Sequence, residues 1–462
     1  MEGLEISLSN FIQVNKNKDF RIDSDFYTKE PRRNPNLQYL KIGDCLISSQ
    51  YGISISMNED NIGYPIYRMN EIHNMLCDID VDKYADIKLD EFIRFELNDR
   101  DVLFNRTNSY EWVGRTGVYY QNDEIKRTFA SYLVKFVPDS DIINPEYLST
   151  YLSSKYGIWD IKRRARQSIN QTNVNPEEVK EIHIPILNQN IQEKIKNNFQ
   201  FANKLRIQAK QLYKEAEAIL LNELGLNNWT PTNQPTTQKS YSDFLESGRL
   251  DAEYYQPKYD EFFAHLNRYK TEPLGKIATI TKSIEPGSDA YQESGIPFIR
   301  VANLSKYGLS ETNISLDSAK YENVIRPKKN TILLSKDGSV SIAYKVPEYL
   351  NVITSGAILH LNITNNEFLP DYVTLVLNSI IVKIQAERDA GGSIIQHWKS
   401  SEIGQVIIPK LDESIQLQIS DKVQKSFKLR AESKCLLNLA KTAVEIAIEQ
   451  GEEKALELLK NN

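Results

Sequence analysis

The sequence predicts an α+β protein built twice over: two pseudo-symmetric globular domains, each followed by a long helix, the two helices pairing as an antiparallel coiled coil. Three observations predict it. Short segments recur in the same order along the chain, each copy mixes buried β-like runs with helical runs, and each copy ends in an apolar seam with alternating spacings of three and four.

The repeat comes first. Arg21-Ile-Asp-Ser-Asp-Phe-Tyr27 returns as Arg249-Leu-Asp-Ala-Glu-Tyr-Tyr255, and Gly63-Tyr-Pro-Ile-Tyr-Arg68 as Gly295-Ile-Pro-Phe-Ile-Arg300. Asp101-Val-Leu-Phe-Asn-Arg-Thr-Asn-Ser109 aligns with Thr331-Ile-Leu-Leu-Ser-Lys-Asp-Gly-Ser339. Pro145-Glu-Tyr-Leu148 matches Pro370-Asp-Tyr-Val373, and Ser168-Ile-Asn-Gln171 matches Ser393-Ile-Ile-Gln396. Ile184-Pro185 and Lys204-Leu-Arg206 answer Ile408-Pro409 and Lys428-Leu-Arg430. An offset drifting only between roughly 224 and 232 residues is too long for a solenoid, so each copy is a domain-sized unit.

Within each copy, Val102-Leu-Phe104, Ile332-Leu-Leu334, Tyr132–Phe136 and Ile358–Leu361 read as strands. Tyr147–Tyr156 and Tyr372–Ala386 read as helices. After each copy comes the seam: Ile191, Ile195, Ala202, Leu205, Ala209, Leu212, Ala216 and Ile219, with a polar interruption at Asn198 and Gly225 placed to end the helix. The second seam is Ile415, Ile419, Ser426, Leu429, Ser433, Leu436, Ala440, Ala443 and Ala447, broken by Gly451 before a charged last turn, Glu452 to Lys460. Its small residues admit a close partner. A lone amphipathic helix would pack on its own domain, but two seams of one period favour mutual pairing. Gly225 to Lys239, polar and interrupted by Pro231 and Pro235, is the linker.

Polar side chains gather at the end of the strand reaching Phe104: Asn105, Arg106, Thr107, Asn108 and Ser109. Arg can bond guanine, and Asn adenine, in bidentate fashion, although the same residues suit a plain β-turn. The counterpart, Ser335, Lys336, Asp337, Gly338 and Ser339, keeps the polarity with other identities. A second candidate, Lys155 to Arg166, carries Lys155, Lys162, Arg163, Arg164 and Arg166 against one acid, Asp160, with Tyr156 and Trp159 between them. It is either a phosphate track or a solvated helix end. In the second copy Gly391-Gly-Ser393 approaches Gln396-His-Trp-Lys399.

Bulk properties exclude several classes. With 56 basic and 62 acidic residues the formal charge is −6, which disfavours non-specific coating of nucleic acid but allows a specific reader whose partner supplies phosphate contacts. No apolar run nears the ~20 residues that span a bilayer, and Met-Glu-Gly-Leu-Glu lacks the pattern of a secretory signal. Cys45, Cys77 and Cys435 form neither a disulfide framework nor a zinc motif and suit a reducing cytoplasm. There is no ATP-binding G-x-x-x-x-G-K-[ST] loop, no Asn-Pro-Pro-Tyr-like methyltransferase motif, and only scattered histidines: His73, His183, His265, His360 and His397. His183 and His360 lie in β-like runs as packed or surface residues. No cofactor and no catalysis are expected.

The stretch Asp101-Val-Leu-Phe-Asn-Arg-Thr-Asn-Ser-Tyr-Glu-Trp-Val-Gly-Arg-Thr-Gly-Val118 resembles part of the recognition domains of type I restriction-modification specificity subunits. So do Ile169–Asn175 running to Ile182-His-Ile-Pro-Ile186 and, in the second copy, Ile332–Ser339 and Ser393–Pro409. The order domain, helix, domain, helix is that family's layout. The second copy departs from the family's wording at Gln396-His-Trp-Lys399. The resemblance implies target-recognition domains at 1–187 and 241–411, spacer helices at 188–225 and 412–462, and a linker at 226–240. It also implies double-stranded DNA as ligand, read as a bipartite asymmetric site. Two methyltransferase (modification) subunits and restriction-translocase subunits are the implied partners, with no membrane. A helix of about 30 residues is a rod of roughly 45 Å, long enough to separate two readers by about a turn of B-DNA, roughly 34–36 Å.

The expected DNA contacts are Arg68, Asn105, Arg106, Thr107, Asn108, Arg115, Arg163, Arg164, Arg166, Asn170 and Gln171 in the first copy. In the second they are Arg300, Ser335, Lys336, Asp337, Ser339, Gln396, His397 and Lys399. The expected helix-pairing residues are Ile191, Ile195, Leu205, Leu212, Ile219, Ile415, Ile419, Leu429 and Leu436. Two other readings stay open: a duplicated-domain nuclease, and a helical scaffold whose loops never meet DNA.

Overall fold

Buried apolar runs make one central sheet per copy. The computed structural model describes residues 8–16, 20–28, 33–169, 171–232, 234, 236–391 and 396–460. Val102–Asn105 and Ile332–Ser335 are buried throughout, which is why they read as continuous rather than alternating strands. In the first copy Leu46–Tyr51, Leu133–Pro138, Val102–Asn105 and Thr116–Val118 lie side by side and antiparallel, and Leu76–Cys77 and Ile72–His73 extend the sheet to six strands. In the second, Ala278–Lys282, Ile358–Ile363, Ile332–Ser335 and Ala343–Lys345 take the same four places. A satellite sheet is also repeated. Tyr64–Tyr67 pairs parallel with Thr128–Phe129 and antiparallel with Tyr84–Ala85, as Ile296–Ile299 does with Ile353–Thr354 and Ser315–Leu316. The duplication is one of topology as well as wording.

The recurring words turn out to be joints of this frame. Tyr147 Oη donates to Pro185 O, and Tyr372 Oη to Pro409 O at 2.7 Å, so each Pro-acid-Tyr helix start is tied to its own Ile-Pro strand. Arg21 forks onto Asp23 and donates to Arg164 O at 2.9 Å, while Arg249 forks onto Asp251 and donates to Asp389 O at 2.9 Å. Tyr27 and Tyr255 then donate back to the carbonyls of Arg21 and Arg249. Two glutamines repeat without standing out in the sequence. Gln192 accepts from Asn144 N and donates to Leu187 O at 2.9 Å; Gln416 accepts from Leu369 N and donates to Leu411 O at 2.9 Å. Each ties the backbone N–H that precedes the Pro-acid-Tyr helix to a carbonyl just before its own long helix.

The two expected domain helices are each broken in two. Pro145–Ser153 and Lys155–Arg164 are separated by Ser154, and Pro370–Asn378 and Ile380–Asp389 by Ser379. Both serines adopt extended backbone, donate to the carbonyl three residues back, and accept from a following N–H, Gly157 or Ile381. A hydroxyl that ends one helix and caps the next does not disturb apolar spacing, so periodicity alone passes over it.

The long helices are Gln189–Glu223 and Glu413–Gln450. They are antiparallel: Ser433 Oγ donates to Ala202 O at 2.9 Å and, one heptad back, Ser426 Oγ donates to Ala209 O at 2.6 Å. Alanine on one side lets a serine hydroxyl reach the other backbone. The seam drifts from its expected register. Ile191, Ile195, Leu205 and Ile419 are buried, but Leu212, Ile219, Ile415, Leu429 and Leu436 are half-buried, and Tyr213, Leu220, Leu437 and Val444 are buried instead. Phe199, not Asn198, faces inward. A helix of 3.6 residues per turn slips about 20° per heptad against a 3.5 repeat, so neighbouring positions take over.

The chain divides into two compact units, Met1–Ile207 with Leu429–Asn462, and Gln208–Lys428. The core of the first joins Ile191, Ile195, Phe199 and Ala202 to Leu437, Ala440, Val444 and Ala447. That of the second joins Tyr213, Ala216, Leu220 and Leu224 to Ile419 and Val423. Gly225, with φ of 61°, ends the first long helix, and Leu226 N–H returns to Leu221 O at 2.8 Å. The expected linker is docked at its start, since Leu226 is buried and Trp229 meets Phe262 edge-on at 5.4 Å. Beyond Gly451 the last segment is a helix, Glu452–Lys460, burying Ala455 and Leu459.

Candidate nucleic-acid interface

In the first copy the two polar candidates become one surface. Thr107–Asn108, leaving the central strand, pairs antiparallel with Thr172–Asn173, which pairs with Arg166–Gln167. Thr107 Oγ1 donates to Asn173 Oδ1 at 2.6 Å across that ribbon. Arg166, Gln167, Ser168 and Gln171 are exposed, Asn108 is half-buried, and Ile169 is fully exposed. Asn170 lies outside the described residues. Arg106 is half-buried, with its guanidinium 5.1 Å from the Tyr51 ring centre. Arg115 stacks on Trp112 at 3.3 Å.

Several expected contacts belong to the support rather than the surface. Asn105 and Thr107 are buried, Asn105 Nδ2 reaching Met69 O at 3.4 Å. Lys162 donates into a cage of carbonyls from Glu111, at 3.3 Å, Val113, at 3.1 Å, and Tyr110, and burial pushes its ammonium down to about 8. Gly114 (φ of 90°) sits against the same helix, where a Cβ would come 2.5 Å from Ile161 Cγ2. The basic cluster is largely neutralised from within. Asp160 accepts from Arg33 Nη2 at 2.7 Å, Arg163 Nε at 3.1 Å and Arg164 Nη1 at 2.7 Å. Arg164 is buried and its pKa is lowered by that burial; Arg166 pairs with Glu178 at 3.1 Å, and Lys155 with Glu449. A continuous phosphate track along this helix does not form.

The second copy builds the same surface with fewer bonds and different chemistry. Asp337 bridges to His397, which bridges to Gly391, in the places of Thr107, Asn173 and Arg166. Where the first copy has a neutral Thr–Asn pair, here Asp337 Oδ1 meets His397 Nδ1 at 2.9 Å, and Lys336 lies 2.5 Å from Asp337. Ser335 is buried, donating to Ser339 O at 2.6 Å and accepting from Ile342 N at 2.9 Å, so it holds the turn rather than facing outward. Ser339, Gln396, His397 and Lys399 are exposed, Lys399 pairing with Glu402 at 3.2 Å. Trp398, its ring buried in the core, anchors the strip through its backbone N–H, which donates to Lys336 O at 2.8 Å.

Arg68 and Arg300 directly follow equivalent strands; Arg68 is bound by Glu71, whereas Arg300 is exposed. The apolar exits and helix starts carried enough signal to be found from sequence; of the Asp160 cluster, Arg163 and Arg164 stand at helical spacing from it, but Arg33, 127 residues away, carried no such signal. Among the described residues no group of acidic, His or Cys side chains could hold a metal ion, and no helix is long and apolar enough to cross a membrane.

No family model matches the chain. It is similar to the protein described as the MjaX type I restriction enzyme specificity subunit of Methanocaldococcus jannaschii, 30% identical over 148 residues, which are 32% of this chain and 34% of that protein. It is also similar to the EcoKI type I specificity subunit of Escherichia coli K12, 28% identical over 116 residues, 25% of each chain. The matched stretches thus span about a third and a quarter of those relatives. Among solved structures, the type I S subunit from M. genitalium aligns over 93% of this chain and 98% of its own, at 15% identity and a TM-score of 0.36. The HsdS subunit from Thermoanaerobacter tengcongensis aligns over 92% and 98%, at 12% identity and a TM-score of 0.29.

Proposed function

We propose that this chain is a DNA-recognition subunit of the type I specificity kind, whose two domains read the two halves of a bipartite, asymmetric site. The observation that carries the reading is one frame with two faces. Around the exit of the central strand the first copy exposes Arg166, Gln167 and Gln171 beside a neutral Thr107–Asn173 pair, and the second exposes Ser339, Gln396 and His397 beside Asp337. Hydrogen-bonding side chains on a rigid strand end can discriminate base edges, and a duplicated frame with unlike side chains fits two unlike half-sites. The antiparallel helices act as the spacer between them, and methyltransferase and restriction subunits supply the chemistry. The chain itself is non-catalytic and works in the cytoplasm.

Comparing genomic methylation with and without the gene tests this. Loss of methyl groups from one motif made of two specific halves and a fixed unspecific spacer is expected. Unchanged methylation, together with no sequence preference by the complex of chain and methyltransferase on random duplexes, would leave the reading without support.

A further inference from the structure

The two copies place cations at the same two positions and mask a different one in each. Arg68 and Arg300 directly follow the strands Tyr64–Tyr67 and Ile296–Ile299. The carbonyl before each accepts from a neighbouring segment, Tyr67 O from Ala130 N and Ile299 O from Ser355 N, both at 2.8 Å. Two residues on, the same segments accept from the second cation's backbone: Tyr132 O from Arg106 N at 3.0 Å, Ala357 O from Lys336 N at 2.9 Å. Arg68 and Arg106 therefore flank one three-residue segment, and Arg300 and Lys336 flank its counterpart.

In the first copy Glu71 grips Arg68, accepting from its backbone N at 2.7 Å, from Nε at 3.1 Å and from Nη2. Arg106 meets no carboxylate among the described residues; it lies over Tyr51 and reaches Ser131 O only at 3.4 Å. In the second copy the grip has moved. Asn303 stands where Glu71 stood and keeps the backbone bond, accepting from Arg300 N at 3.1 Å. Its amide nitrogen turns to Ser310 Oγ and Glu311 O, at 3.2 and 3.1 Å, and a neutral amide leaves the exposed Arg300 guanidinium unneutralised. Lys336 is instead the cation that is paired, with Asp337.

We infer that each domain keeps one cation open for an ionic contact with DNA, Arg106 in the first and Arg300 in the second, and holds the other back with an internal carboxylate. A guanidinium or ammonium already bonded to a carboxylate has little charge left to release counterions from a phosphate. The exchange of positions would give the two domains different footprints on the backbone from one frame.

This rests on the DNA-reading function proposed above, and its test can fail separately. The full chain, purified with its methyltransferase subunits, is titrated onto its cognate duplex over a range of salt concentrations. Arg106→Ala and Arg300→Ala are each expected to weaken binding roughly tenfold and to reduce the slope of log affinity against log salt by about one. Arg68→Ala is expected to change neither. Glu71→Gln retains an acceptor for the Arg68 backbone and should steepen the slope by about one, an effect that misfolding would not produce. An Arg68→Ala loss equal to that of Arg300→Ala, or an unaltered slope in Arg300→Ala and Glu71→Gln, overturns the assignment. A complex without any site preference overturns the underlying function instead.

Discussion

The two copies solve the same structural problems with opposite chemistry. Five residues into the second short helix of each domain stands a buried side chain, Asp160 or Gln385. Asp160 gathers Arg33, Arg163 and Arg164, whereas Gln385 bonds the backbone of Ile407 in both directions, at 2.8 and 3.1 Å. On the long inner strand, opposite Leu103 or Leu333, the first copy buries Lys135 near Asp101, at 3.7 Å, and the second buries His360 on Thr354, at 2.8 Å. At the strand exit the order reverses: Thr107–Asn173 is neutral and Asp337–His397 is ionisable. A shared topology thus fixes where a polar group is needed, not which charge meets the need. The frame can drift in chemistry while the exposed exits acquire their own.

The contrast can be broken most strongly at Asp160. Asp160→Ala leaves Arg164 buried without its carboxylate and is expected to destabilise the first unit by about 3–5 kcal/mol. Gln385→Ala removes only neutral bonds and should cost the second unit roughly 1–3 kcal/mol. Hydrogen exchange resolved by peptide in denaturant would compare them, and equal losses would show that the ionic cluster is no more than a substitute for the amide.

His360 gives the next effect. Burial pushes its imidazole down to about 4 from the ordinary 6.5. Between those values the unfolded chain binds the extra proton, so the contribution is complete above about pH 6.5 and is lost as the pH falls. The second unit should lose up to about 3 kcal/mol on the way to pH 4. Measured as the difference between wild type and His360→Gln, this dependence should be confined to the second unit; its presence in the first would contradict the neutral-versus-ionic distinction.

The smallest expected effect tests the exits. Replacing Asp337 with Thr and His397 with Asn gives the second copy the first copy's neutral pair. Preference among second half-sites should change by about 1–3 kcal/mol in competition binding, while the first half-site stays as it was. A change in both halves would mean that the exits do not read separately.

Much of the frame was legible because it depends on local regularities. Val102-Leu-Phe104 and Ile332-Leu-Leu334 are too apolar to be anything but buried, and the Pro-acid-Tyr and Ile-Pro words recur because a tyrosine hydroxyl joins them. The candidate contacts were only partly legible. Arg164, Asn105 and Ser335 look like surface readers in sequence but are buried and bonded internally. Polarity marks a residue that needs hydrogen-bond partners; it does not say whether those partners are protein or DNA. The helix breaks at Ser154 and Ser379 escaped for a similar reason, since a serine cap leaves the apolar period intact.

By itself, then, the sequence determined the duplication, the strand-rich domains and the two long helices with an apolar seam, all of which follow from order and period along the chain, while the antiparallel pairing it suggested is made by contacts between the helices. The tertiary structure decided which cations are neutralised, which residues face the seam after its register drifts, and that the loop after Asn105 and the strip around Thr172–Asn173 form one surface. Those outcomes depend on side chains brought together from distant positions, where charge, burial and hydrogen bonding are settled jointly. No local pattern carries that information.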